Sequence, residues 1–158
     1  LHVTVVNLEY GHTQWFGTGA RYDVSMVDAI YASAALPVFY PPARIEGEVF
    51  VDGGAGHSFP VRRAADLGAT GIVGVDVGSG RDSPPEKLLE QGMLAIHQRV
   101  FSIMSWRKRT DTVTSWGGPP LLFVRPRLSG YGTFDFDSVQ YFLEEGYRAT
   151  RAALMRGV

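Results

Sequence analysis

Residues 43–78 read ARIEGEVFVDGGAGHSFPVRRAADLGATGIVGVDVG, and the order of apolar and turn-forming residues in this stretch decides the fold class. Ile45 to Val51 predicts a hairpin turning at Glu46-Gly47, because glycine supplies the positive φ that a tight turn needs. Its second arm, Val49-Phe50-Val51, runs into Asp52-Gly53-Gly54. Pro60 is placed to open a helix over PVRRAADL, since the N–H it lacks would be unpaired in a first turn anyway. Gly68 closes that helix. Gly71 to Val77 is nearly all apolar, the pattern of a strand buried on both faces in a parallel sheet.

The flanks extend the same alternation. His2 to Leu8 alternates apolar and polar residues, is rich in β-branched types and reads as a strand, with Trp15 to Gly19 as a short return. Ser25 is set to cap a helix with Asp28 three residues on, and Pro37 ends it. Pro41-Pro42 starts an extended segment. After a loop over 78–85, a long helix is expected from Glu86, with Leu89, Met93, Ile96, Val100 and Ile103 at helical spacing. Gly117-Gly118-Pro119-Pro120 breaks the chain before a strand at Leu121 to Val124. Asp137 or Ser138 caps a last helix, with Phe142, Tyr147 and Leu154 expected toward the core. Strands alternating with helices predict an α/β fold with a mostly parallel sheet flanked by helices, as one domain over residues 1–158.

Composition removes several function classes. The chain has 158 residues, 45% of them apolar, enough for a sizeable core. A formal net charge of −1 gives no electrostatic reason to expect nucleic acid as a partner. Zero cysteines exclude disulfides, a thiol nucleophile and thiolate metal sites, and lean toward an intracellular, cytoplasmic setting. No apolar run reaches the roughly 18–20 residues that span a bilayer. His2, His12, His57 and His97 show no metal-ligand spacing, so no metal site is expected. The chain begins at Leu1 inside an apolar alternating run, which reads as a cut.

The ordered set Ala32-Ser33-Ala34-Ala35-Leu36-Pro37, Pro41-Pro42, Val51-Asp52-Gly53-Gly54, Phe59-Pro60-Val61 and Val73 to Val77 resembles the second half of patatin-like phospholipase domains. Pro126, Asp135-Phe136 and a helix holding Gly146-Tyr147 resemble that family's last strand and helix, so the likeness covers nearly the whole chain. The resemblance implies a three-layer α/β/α hydrolase domain whose N-terminal half is missing here. It implies hydrolysis of a lipid acyl ester by a serine–aspartate dyad, with no cofactor. Asp52 matches the family's aspartate, and Gly53 and Gly54 would shape the pocket edge. The expected partners are a lipid or acyl-ester substrate, the N-terminal half carrying the serine, and a peripheral membrane surface. With preceding strands missing, the strand near His2 to Leu8 is expected to be an unprotected edge.

Local sequence alone leaves Asp52 open between two compatible readings, a turn former and a catalytic base, because Asp-Gly is a common turn signal. The nucleophile's Gly-x-Ser-x-Gly does not occur in the 158 residues. Gly56-His57-Ser58-Phe59-Pro60 starts like such an elbow, but Pro60 replaces the second glycine, and Ser58 stands where the family usually has asparagine. Gly17-Thr18-Gly19 and Gly78-Ser79-Gly80 read as plain loops. His57 either tunes Asp52 or is simply exposed. Trp106-Arg107-Lys108-Arg109 reads as a solvated helix face, with an anionic lipid surface as the other reading. Leu36, Phe39 and Phe59 read as core in preference to an acyl channel. A non-catalytic lipid- or protein-binding remnant is the alternative function.

Overall fold

Short connections fix the first half. The computed structural model describes residues 1–78, 85–132 and 134–157. Strand β1 (His2–Asn7) returns as β2 (Thr13–Gly17) through a loop too short for a crossover, so the two pair antiparallel, Val3 opposite Phe16 and Val5 opposite Gln14. After helix α1 (Met26–Ala34), β3 (Ala43–Ile45) turns at Glu46-Gly47 into β4 (Glu48–Asp52). Both turn residues have positive φ, 50° and 86°, the geometry of a two-residue turn whose twist matches the strands. The sheet order is β2-β1-β4-β3, antiparallel throughout. The mostly parallel sheet expected from the alternation of strands and helices is therefore corrected here. Hairpin loops of this length cannot carry a chain back to start a parallel strand. Strand β1 is also no edge, since β2 and β4 pair along its two sides.

Residues 1–60 form one compact unit. Its core is Val5, Phe16, Ala29, Ala32, Ala43, Ile45 and Phe50, drawn from all four strands and α1. Phe16 and Phe50 meet edge to face with centroids 5.4 Å apart, the arrangement favoured by the ring quadrupole. The cap of α1 is as predicted: Ser25 Oγ accepts from the Asp28 N–H at 3.1 Å. Asn7, 1% exposed, ends β1 by accepting from the N–H groups of Glu9 and Tyr10 and donating to Glu48 Oε1 at 3.0 Å.

Residues 61–158 form the second unit. Helix α2 (Val61–Asp66) precedes β5 (Ile72–Val75), then α3 (Pro85–Glu90), α4 (Met93–Thr114), β6 (Leu121–Val124) and α5 (Val139–Arg156). Within the described sheets only β5 and β6 pair in parallel, Ile72 opposite Leu121, with α3 and α4 between them in the chain. Three expectations change. The single helix from Glu86 is two, because Gly92, at φ 82°, interrupts it. Strand β5 is not buried on both faces: Val73 is 54% exposed and Val75 43%. In α5, Tyr147 and Leu154 are exposed, and the inward stripe is Glu145, Ala149 and Ala153, four residues apart. Tyr147 stands two residues from Glu145, about 200° around the helix, and so faces away. Ala153 and Ala149 pack on Leu122 and Val124.

Candidate active site

Asp52 is the last residue of β4, opposite Val5 of β1. Its backbone N–H donates to the carbonyl of Ala35, the C-cap of α1, at 3.0 Å. The Ala-rich helix end and Pro37 thus bring one free carbonyl onto the end of the strand. Beyond Asp52 the chain tightens into a 3-10 turn over Gly53–Ala55, with Asp52 as its cap. Asp52 Oδ1 accepts from the Gly54 N–H at 2.5 Å, and no hydrogen bond to Oδ2 occurs among the described residues.

Close approach makes glycine necessary at Gly53. A methyl group there would overlap both the hydroxyl and the carbonyl of Thr4 on β1, and both residues are buried. At Gly54 a Cβ would sit 2.8 Å from Asp52 Oδ1. The turn therefore lies close on the sheet, with the Gly54 N–H directed back at the carboxylate. Burial pushes the Asp52 carboxyl above its ordinary range, and the Gly54 N–H opposes that rise. The result is a half-buried carboxylate, more basic than one in water, with Oδ1 held by the Gly54 N–H.

His57 does not turn to Asp52. It is exposed, its Nδ1 shares a hydrogen bond with Thr13 Oγ1 at 3.0 Å, and its ring stands 6.3 Å from that of Trp15. Ser58 lies half-buried in the loop before α2, away from any strand-to-helix elbow. Phe59 is buried, while Leu36 and Phe39 are half-buried. Gly17 ends β2, and Ser79 and Gly80 lie outside the described residues. The contact of Thr13 with His57 had no signal in the sequence, because a separation of 44 positions has no local period, and the same holds for Trp15.

A second polar cluster, in residues 61–158, was equally invisible. Asp76, 3% exposed, follows β5 at the carboxyl end of the parallel pair. Arg125 Nη2 donates to its Oδ2 at 2.9 Å, the Gly78 N–H donates to Oδ1 at 3.0 Å, and Arg109 Nε pairs with Oδ1 at 2.9 Å. Arg109 was expected to share the solvated face of residues 106–109, and this pairing corrects that. Trp106 is half-buried as well, which leaves Arg107 and Lys108 exposed there. In α5, Glu145 accepts from Arg148 and from the Arg127 N–H, each at 2.7 Å, and these hold its carboxyl down at about 2. Among the described residues, no group of three or more His, Cys, Asp or Glu could hold a metal ion, and no helix is long and apolar enough to cross a membrane.

Asp52 is thus a half-buried carboxylate at the end of a strand in an α/β protein, set on a glycine turn. Residues 1–65 match the family model of the patatin-like phospholipases, and the chain is similar to that family. Among curated relatives, Lysophospholipase nte1 of Neurospora crassa is 31% identical over 137 residues, covering 75% of this chain and 9% of its own. Lysophospholipase NTE1 of Meyerozyma guilliermondii is 28% identical over 136 residues, covering 75% and 10%. Lysophospholipase NTE1 of Coccidioides immitis is 26% identical over 145 residues, covering 80% and 9%. The likeness thus runs beyond residue 65, and the chain spans about a tenth of the length of the relatives it matches.

Proposed function

We propose that residues 1–158 are the C-terminal portion of a lipid acyl hydrolase domain and supply Asp52 as the base of a serine–aspartate dyad. The observation that carries this reading is the Asp52 carboxylate itself: half-buried, raised in basicity, with Oδ1 held by the Gly54 N–H. The family match and the names of the relatives support a phospholipid or lysophospholipid ester as substrate. With no Gly-x-Ser-x-Gly in the 158 residues, the nucleophile belongs to a segment outside them.

In the first half-reaction Asp52 Oδ2 takes the serine hydroxyl proton as Oγ attacks the ester carbonyl carbon. The tetrahedral intermediate collapses, the C–O bond to the alcohol breaks, and that oxygen recovers the proton from Asp52. The acyl group stays on serine. In the second half-reaction Asp52 takes a proton from water, the hydroxide oxygen bonds to the acyl carbon, and the serine Oγ leaves and is reprotonated. The fatty acid is released and the enzyme is regenerated. Gly53 and Gly54 keep the pocket edge free of Cβ atoms beside the reacting carbonyl.

A labelled fluorophosphonate, which tags activated serines, tests where the nucleophile lies. In the complete protein the label is expected on a serine outside residues 1–158, and Ser58→Ala leaves labelling intact. The 158 residues alone are expected to give neither labelling nor ester turnover. A label on Ser58 would overturn the assignment, and its complete absence from the complete protein favours a non-catalytic module.

A further inference from the structure

His57 and Thr13 have no part in the dyad chemistry, yet they bear on the turn that presents Asp52. The links run in one line. Asp52 Oδ1 is held by the Gly54 N–H, so the tilt of the Gly53-Gly54 peptide fixes where the carboxylate points. The Gly53 carbonyl accepts from the N–H groups of Gly56 and His57 at 3.0 and 2.8 Å, so that tilt is set by the far end of the turn. The far end is fastened to the sheet. A Cβ on Gly56 would overlap Thr13 Oγ1 and stand 2.9 Å from Val6 Cγ2, so the backbone there lies directly on β1 and β2. One residue on, His57 Nδ1 and Thr13 Oγ1 are 3.0 Å apart.

Thr13 itself is rigidly placed, paired with Val6 in the β1–β2 ladder. We propose that the Thr13–His57 hydrogen bond is a strut that fixes the Gly53–His57 turn on β2 and thereby aims the Asp52 carboxylate at the nucleophile. His57 is a positioning residue and carries no proton for the reaction. A threonine hydroxyl both donates and accepts, so the strut holds with either neutral tautomer of His57 and with the imidazolium. This inference rests on the reading of Asp52 as the base.

The test uses the complete protein with a short-chain nitrophenyl ester and four variants. An exposed hydrogen bond contributes modestly, so His57→Ala is expected to lower kcat roughly 3- to 10-fold with KM unchanged. His57→Asn places an amide group where Nδ1 stands and should return kcat to within about two-fold, by the same hydrogen-bond scale. Thr13→Val should reproduce His57→Ala. Amide exchange at Gly54, followed in the same variants, should quicken in His57→Ala and Thr13→Val but not in His57→Asn. Asp52→Asn separates the two ideas. If Asp52→Asn is inactive while His57→Ala keeps full kcat and Gly54 protection, the strut is overturned and the dyad stands. An asparagine at 57 no better than alanine has the same meaning. Normal turnover by folded Asp52→Asn overturns the dyad and the strut with it.

Discussion

Residues 1–60 and 61–158 build their interiors by different means. The first unit closes seven apolar side chains from four strands and a helix into one core, among them Phe50, which is fully buried. The second buries Leu122, Val124 and Ala153 in its apolar cluster and relies on charged anchors, Asp76 and Glu145, each almost fully enclosed. Its longest helix, α4, buries only Ser105, while Met93, Leu94, Val100 and Met104 stay exposed. Apolar burial scales with area and tolerates small shifts, whereas a buried charge depends on its partners being in place. The first unit is therefore suited to hold a carboxylate still, and the second is the more sensitive to charge and pH.

That contrast breaks if the two kinds of anchor respond alike. The largest stability effect is expected for Phe50→Ala, about 3–5 kcal/mol, because it empties a fully enclosed site. Hydrogen exchange at the amides of β1 and β4 reads it, and protection within residues 61–158 should be unchanged. Asp76→Asn comes next, at roughly 2–4 kcal/mol. It strands Arg109, 13% exposed, while half-exposed Arg125 regains water. The loss should appear at β5 and β6 and spare the first unit.

Acid sharpens the same comparison. Glu145 sits at about 2 in the folded chain against 4.5 for the free group, so it binds fewer protons folded than unfolded. Its stabilisation of the second unit is present above pH 4.5 and is lost as pH falls toward 2. Glu145→Gln should remove that acid dependence, measured by the melting of α5 between these limits. Smallest of all is Val73→Ala, within about 0.5 kcal/mol, because the residue is 54% exposed and leaves no cavity. A large cost there would mean that β5 is covered in solution.

Local chemistry was legible in the sequence and long-range pairing was not. Ser25 with Asp28, Glu46-Gly47, and the run Val49-Phe50-Val51 into Asp52 each act within a few residues, and each is found where expected. Sheet polarity misled because the order of strands and helices resembles that of a parallel fold, while the brevity of the β1–β2 loop decided otherwise. Arg125 meets Asp76 across 49 positions and Thr13 meets His57 across 44, separations at which no periodicity or motif operates. The inward face of α5 was misplaced because Glu145, a charge, occupies the stripe where an apolar residue was sought.

The central claim is that Asp52 is a base held at a cost to the fold, and Asp52→Asn in the complete protein tests it most directly. Burial raises the folded carboxyl above 3.8, so the group binds more protons folded than unfolded. Its penalty is absent below pH 3.8, grows as pH rises, and is complete above the folded value. Asparagine keeps the acceptor for the Gly54 N–H but neither ionises nor takes a proton. At neutral pH the variant should therefore melt no lower than the parent while ester turnover falls roughly 10²- to 10⁴-fold. A well-folded Asp52→Asn protein with near-normal turnover would contradict the account.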